Sequence, residues 1–325
     1  MLHVRCGDDI IGKLRSAGMP GEFLVWADPL AQGPTRPGNG EAWYDLRAEF
    51  IARAYGGDAA DIAASLREAD AVLDRHDPED ELVLWFEHDL FDQAILVRLL
   101  ARLAGHRTGR PRLSLVTLHA HPTVARFIGL GNLHAPALAE LFAARAPVTE
   151  AMLAAGSAGW AALRAPTPEP AAELARAGAD GLPYLPGALR RHMQELPSTA
   201  NGLGRTEQLV LEAIASGAES AGAVFEAVQE REEAPWLGDV MLYAVVAALA
   251  RARTPLLRVA GAWPAEAGAF RGARVELTSA GAAVLGGRVD AVALSGIDRW
   301  VGGVELRGPR AAWRWDESSL RPVRG

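Results

Sequence analysis

Four short apolar runs, each followed by a polar turn and, in three cases, a stretch of helical period, occupy the first 120 residues. That alternation restricts the chain to a largely parallel sheet with helices packed on it. Leu2 to Cys6 is the first run; it closes on Gly7-Asp8-Asp9, where the aspartates are placed to cap a helix reaching Ser16. Gly21 to Trp26 (GEFLVW) is the second, and it opens into the Pro- and Gly-rich loop DPLAQGPTRPGNG. Helical patterns then cover Glu41 to Tyr55 and Asp58 to His76. The third run, Glu81 to Phe86 (ELVLWF), leads into Glu87-His88-Asp89 and a helix ending near Leu103. The fourth, Arg112 to Leu118 (RLSLVTL), ends at His119-Ala120-His121-Pro122.

From about Asn132 the period is helical throughout, broken at Pro147, at Ala165 to Pro170 and at Pro183 to Pro186. Three helical patterns follow Asn201 (Thr206 to Ser216, Ala221 to Arg231, Leu237 to Ala252), then two strand-like runs, Leu256 to Val259 and Arg274 to Leu277. Three helices before a hairpin is the order of a winged helix. The expected class is therefore α/β: a Rossmann-like parallel-sheet domain over 1–145, a helical extension over 146–200 and a winged-helix-like domain over 201–287. A Trp-rich tail over 288–325 is expected to pack back on the body, because terminal tryptophans usually anchor the segment that carries them.

Composition narrows the function classes. The chain is 325 residues long, enough for two or three compact units, and 50% apolar with 22% charged, which excludes wholesale disorder. No apolar run approaches the roughly 20 residues of a membrane helix, and MLHVRCGDD lacks the order of a signal peptide. A cytoplasmic protein with no membrane partner is the expectation. Cys6 is the sole cysteine and Lys13 the sole lysine. Any metal must therefore be held by His and carboxylates. The net charge of −7 is uneven: residues 201–325 carry 14 arginines against 15 acids, and residues 1–200 carry 19 basic against 25 acidic side chains. The part with the order of a DNA-binding fold is thus near neutral. The helix that would read DNA, Leu237 to Ala250, has no basic residue before Arg251, which argues against a nucleic-acid partner.

In open parallel sheets ligands bind beyond the carboxyl ends of the strands. All four ends here carry ionisable side chains: Asp8 and Asp9, then Asp28 beside Trp26, then Glu87, His88, Asp89 and Asp92, then His119 and His121. His88 is the candidate acid/base, with Glu87 and Asp89 as orienting or cation-binding groups, since an imidazole beside carboxylates suits either role. Asp8, Trp26, Asp28 and Asp92 are candidate substrate contacts, and Arg299 a candidate anion contact from the tail. A structural reading competes: Asp89 as a helix N-cap and Asp92 at the reciprocal capping-box position. His119 and His121, two apart on an extended segment, point opposite ways, so at most one faces a shared pocket. His3, inside the first strand, is read as a core or sheet-face residue rather than a catalytic one. A phosphate-binding Gly-Lys-Ser/Thr loop, GxGxxG after the first strand, HExxH and GxSxG are all absent.

The blocks Leu2-His3-Val4-Arg5-Cys6-Gly7-Asp8, Leu24 to Pro34 (LVWADPLAQGP) and Leu82 to Gln93 (LVLWFEHDLFDQ) resemble a bacterial family known as domain of unknown function 1835. The similarity continues through Leu189 to Ser198, Asn201 to Glu207 and Gly296 to Trp300. Relatives often read Gly-Asp-Ser and Trp-Arg-Asp where this chain has Asp9 and Ala27. The resemblance implies an architecture and candidate positions, and no reaction. Taken together, the residues lead to an enzyme acting on a small polar or phosphorylated substrate by hydrolysis or phosphoryl transfer, a divalent cation being compatible with so oxygen-rich a site. A nucleic-acid-binding regulator is the alternative.

Overall fold

The computed structural model describes residues 1–38, 40–105, 111–261 and 267–325; Asn39, within the Pro- and Gly-rich loop, lies outside them. The first elements are β1 (Leu2–Arg5), α1 (Ile11–Ser16), β2 (Glu22–Val25), β3 (Gly33–Pro34), α2 (Glu41–Tyr55), α3 (Ala59–Asp74), β4 (Glu81–Trp85), α4 (Leu90–Ala104), β5 (Arg112–Val116), α5 (Ala135–Ala143) and β6 (Ala146–Pro147). They build a five-stranded sheet in the order β2-β1-β4-β5-β6, parallel except for the short edge strand β6. Strands buried on both faces read as unbroken apolar runs, and β1 and β4 are buried at every residue. Alternate side chains serve opposite cores. Leu2, Val4, Leu82 and Leu84 pack with the apolar side of α4, and Val83, Trp85 and Val116 pack with Ile10, Leu14 of α1 and Leu138 of α5.

Two local expectations are corrected. Neither Asp8 nor Asp9 caps α1, whose N-terminus at Ile10 has no side-chain cap, because Asp9 is drawn instead to Arg5. The break read at Pro147 is where it was expected, but it is not a bare helix break: it is the two-residue strand β6, where proline is tolerated at the sheet edge.

The helical stretch continues as α6 (Glu150–Leu163), α7 (Glu169–Ala177) and α8 (Leu185–Met193), with α6 lying along α4. Next come α9 (Arg205–Ala215), α10 (Ala221–Arg231), α11 (Asp239–Arg251), β7 (Leu257–Val259), α12 (Ala267–Phe270), β8 (Val275–Leu277) and α13 (Ser279–Leu285), with β7 and β8 antiparallel. Arg191 of α8 ties this part to the rest. It forms ion pairs with Glu195 and Glu232, each at 2.6 Å, and donates to Thr206 Oγ1. The tail comprises α14 (Ala291–Ser295), β9 (Ile297–Gly302), β10 (Val304–Gly308), β11 (Trp313–Asp316) and β12 (Arg321–Arg324). It returns to the first body: β9 pairs in parallel with β3, and Trp313 and Trp315 are buried in the same core as Leu82 and Leu84. Among the described residues no helix is long and apolar enough to cross a membrane.

Candidate active site at the strand ends

After β1 the chain moves to β2 on one side of the sheet, and it returns to β4 on the other. The β1/β4 boundary is therefore the topological switch point, where the carboxyl ends of an open sheet leave a crevice. Arg5 is the last residue of β1 and Glu87 the second after β4, so both stand at that boundary. Arg5 donates through Nε and Nη2 to the two carboxylate oxygens of Asp9 (2.7 and 2.9 Å) and through Nη2 to Glu87 Oε1 (2.6 Å). Its Nη1, sealed from solvent and without a hydrogen bond, lies 3.7 Å from Asp92 Oδ2.

The carboxylates converge because the strand-to-helix turn is tight. Asp89 is extended at the N-cap of α4 and accepts from the backbone N–H groups of Phe91 and Asp92. Asp92 does not close a box onto the cap. It reaches two residues further back and accepts from the Glu87 N–H at 2.6 Å. Gln93 donates to the Glu87 carbonyl. Glu87, Asp89 and Asp92 are each at most 5% exposed, and one oxygen from each lies within 4.8 Å of the others. That spacing also fits a divalent cation ringed by oxygens.

The loop Gly129-Leu130-Gly131 covers this cluster with backbone rather than side chains. The Leu130 N–H donates to Glu87 Oε1 at 2.6 Å. A Cβ on Gly129 would stand 2.6 Å from Glu87 Oε2, and one on Gly131 2.6 Å from Asp9 Oδ2, so glycine permits the approach. Lys13 holds the loop by donating to the carbonyls of Gly131 and Leu133.

Three buried carboxylates face the guanidinium of Arg5, whose Nε and Nη2 are engaged and whose Nη1 has no hydrogen bond, and their proton affinities rise accordingly. Burial and then Asp92 push the Glu87 carboxyl up to about 7, against the pull of Arg5 and the Leu130 N–H. Burial likewise raises Asp89, assisted by Asp92 and Glu87, and raises Asp92 against the pull of Arg5. Burial also pushes the Cys6 thiol up, and Asp92 adds to it, which leaves Cys6 a neutral neighbour of the cluster.

No family model matches the chain, and no curated protein matches it.

His88 turns to the other side of the turn. Among the described residues it makes no hydrogen bond to Glu87, Asp89 or Asp92; its ring sits 6.3 Å from His119, 6.2 Å from Phe127 and 6.1 Å from Tyr184, and its buried Nδ1 has no partner. Burial, then His119, disfavours its charged form. The expected carboxylate-oriented imidazole is thus not formed, because consecutive residues at a strand end project to opposite sides. His119 joins this second group through Tyr184 Oη at 2.9 Å, whereas His121 turns to Thr123.

The remaining candidates are dispersed. Asp8 is exposed, and its engaged group is the backbone carbonyl, which accepts from Ile11. Trp26 is buried and donates to Asp70. Asp28 is buried against Arg47 of α2. Arg299 forms an ion pair with Glu207 of α9 at 2.9 Å, away from the carboxylates, and lines a cleft of about 880 Å³ between α2, α11 and β9. His3 is a core residue: its Nδ1 accepts from Trp85 Nε1 and its Nε2 meets the Pro20 carbonyl. Arg5 and Tyr184 were not among the candidates, and Asp9 was named only as a strand-end carboxylate and possible cap, with no role in the site. Arg5 too had a sequence signal, a charged side chain closing a strand that is otherwise buried.

Proposed function

We propose that the chain is an enzyme of hydrolytic type acting on a small polar substrate at the β1/β4 switch point, with Glu87 as the group that takes and returns a proton. One observation carries this: Glu87, Asp89 and Asp92 converge in the interior with, among the described residues, a single arginine to offset them. Buried charge without a partner is costly, so a fold that keeps three such groups together holds protons there, and strongly shifted groups in a crevice mark functional sites. A carboxyl near 7 gives and accepts protons readily at neutral pH. Arg5 holds Glu87, Asp89 positions the turn, and His88, His119 and Tyr184 form a neighbouring polar and aromatic wall for the substrate body. Phosphoryl transfer is less well supported, because the carboxylates would repel phosphate unless a cation bridged them, and Arg5 already occupies the counter-charge position. Millimolar magnesium or calcium is accordingly expected to leave the melting temperature unchanged within a degree; a rise of several degrees would replace protons by a cation in this scheme.

The test is a hydrolysis panel of amides, esters and phosphoesters run with the wild type and Glu87→Gln. Turnover in the wild type should fall by roughly 10²-fold or more in the variant; equal rates would remove Glu87 from the mechanism.

The parallel sheet supports a Rossmann-like reading of residues 1–145. Three helices followed by an antiparallel pair support a winged-helix-like reading of residues 201–287, as a packing module. In that scheme α11 would be the recognition helix, yet it packs against α2 and lines the cleft instead of presenting a basic face. The full chain is expected to show no binding to duplex DNA even at low salt, and an affinity falling steeply with salt would reverse this. The EHDLFDQ block that carries the resemblance to the domain of unknown function 1835 family is also the block that supplies Glu87, Asp89, Asp92 and Gln93. We propose, on those residues, that the chain belongs with that family.

A further inference from the structure

A second polar cavity, of about 280 Å³, opens between α2, α3, α4 and α6. It is separate from the carboxylates: Arg98 lies nine residues along α4 from Asp89, roughly 13 Å at the rise of an α-helix. Its walls are Trp43 and Trp160, edge to face with centroids 5.6 Å apart, and both are buried. Three guanidinium ions line it, those of Arg98, Arg102 and Arg164.

The neighbouring carboxylates are already committed. Asp70, 1% exposed, accepts from Arg98 (2.7 Å), Arg102 (3.2 Å), Tyr44 Oη (2.9 Å) and Trp26 Nε1 (3.1 Å). Asp74 pairs with Arg102 at 2.6 Å. Nothing is left for Arg164, which has no carboxylate partner among the described residues. Among the described residues its one hydrogen bond runs from Nη2 to the Gly38 carbonyl at 3.2 Å, and its Nε is buried and unpartnered. What holds Arg164 is its face, lying over Trp160 at 5.3 Å and Trp43 at 5.8 Å. Arg98 is held similarly by Trp26, Trp43 and Trp160. Guanidinium N–H groups point outward in the plane of the ion, so stacking fixes the ion without using any of its five donors. Burial and the nearby Arg98 both work against the charge on Arg164. The protein therefore maintains a positive group that it does not itself neutralise, between two aromatic walls.

We propose that this cavity binds a small organic oxyanion, its carboxylate or phosphate head on the uncommitted donors of Arg164 and on those donors of Arg98 that Asp70 does not take, and its planar body against Trp43 and Trp160. Such an arginine pair suits an oxyanion because the in-plane donors match two oxygens at once. The cavity volume leaves room for a single ring beyond the head group.

Calorimetric titration of the full chain with benzoate, phenyl phosphate and neutral benzyl alcohol, at constant ionic strength in chloride, tests this directly. One or both anions should bind the wild type and the alcohol should not, and the stronger anion identifies the head group. Arg164→Gln should weaken that binding roughly tenfold or more, and Arg164→Lys, which keeps the charge and loses the fork, should also bind more weakly than the wild type. Without ligand, Arg164→Gln should melt no lower than the wild type, since it removes an unneutralised charge. Failure of both anions to bind, or equal binding by Arg164→Gln, overturns the proposal.

Discussion

Replacing Arg47 by methionine is expected to cost about 3 to 5 kcal/mol of stability, the range for removing one partner of a buried ion pair. For a chain of this size that is a fall in melting temperature on the order of 10 °C. Arg47 is 0% and Asp28 1% exposed. Every N–H of this guanidinium has an acceptor. Nε and Nη2 donate to Asp28 Oδ1 (2.9 and 2.6 Å), Nη2 also to the Pro29 carbonyl (3.0 Å), and Nη1 to the carbonyls of Gln32 and Pro34 (2.9 and 3.1 Å). Methionine fills a similar volume but takes away the ion-pair partner of the buried Asp28 and the guanidinium hydrogen bonds to three carbonyls. The segment it releases includes β3, the strand onto which the tail strand β9 pairs, so the loss spreads to the tail. Chemical denaturation of Arg47→Met, Asp28→Asn and the double variant measures this. The double variant should recover part of the loss, because no charge is then left unpaired. A loss below about 1 kcal/mol for Arg47→Met would mean that the loop is held by other contacts.

Asp28 illustrates what could and could not be read from the residues alone. Its position after a strand made it a candidate substrate contact, and nothing local indicated that an arginine 19 residues later would bury it. Elements set by local pattern were legible. The helix from Glu41 to Tyr55 and the one from Ala221 to Arg231 have the bounds read from their period, and Asp89 caps α4 as its place before the apolar run suggested. Features that depend on distant partners were not legible. Asp9 leaves its helix for Arg5, β3 exists only because β9 reaches it, and β6 is a two-residue strand containing proline. The site was legible as a region and not as a constellation. The third strand end does hold the carboxylate cluster, but the residue that completes it, Arg5, comes from the neighbouring strand, and His88 faces the opposite way. Trp26 moved for the same reason: its ring is taken by Arg98 and its N–H by Asp70, both from helices packed on the sheet.

Glu87→Gln is expected to stabilise the protein at neutral and higher pH while it removes activity, a pairing that a purely structural residue does not give. The sign follows from the proton balance. Folded, the Glu87 carboxyl is held up to about 7; unfolded, it returns to about 4.5. Between those values the folded state binds more protons than the unfolded state, so stability falls as pH rises through that window. The loss amounts to roughly 3 kcal/mol and is complete above about pH 7. Glutamine has no proton to lose and the same shape. Its Oε1 still accepts from Arg5 and from the Leu130 N–H, while Arg5 keeps Asp9 and lies near Asp92. The substitution also lowers the proton affinity of Asp89, which Glu87 helps to raise. Denaturation midpoints of the two proteins should therefore nearly coincide at pH 4 and diverge towards pH 8, with the variant higher. If Glu87 instead served mainly as the ionised partner of Arg5, its loss would weaken the protein most at high pH, and the two curves would diverge with the wild type above. The direction of that divergence decides whether the β1/β4 crevice holds a proton for use or an ion pair for stability.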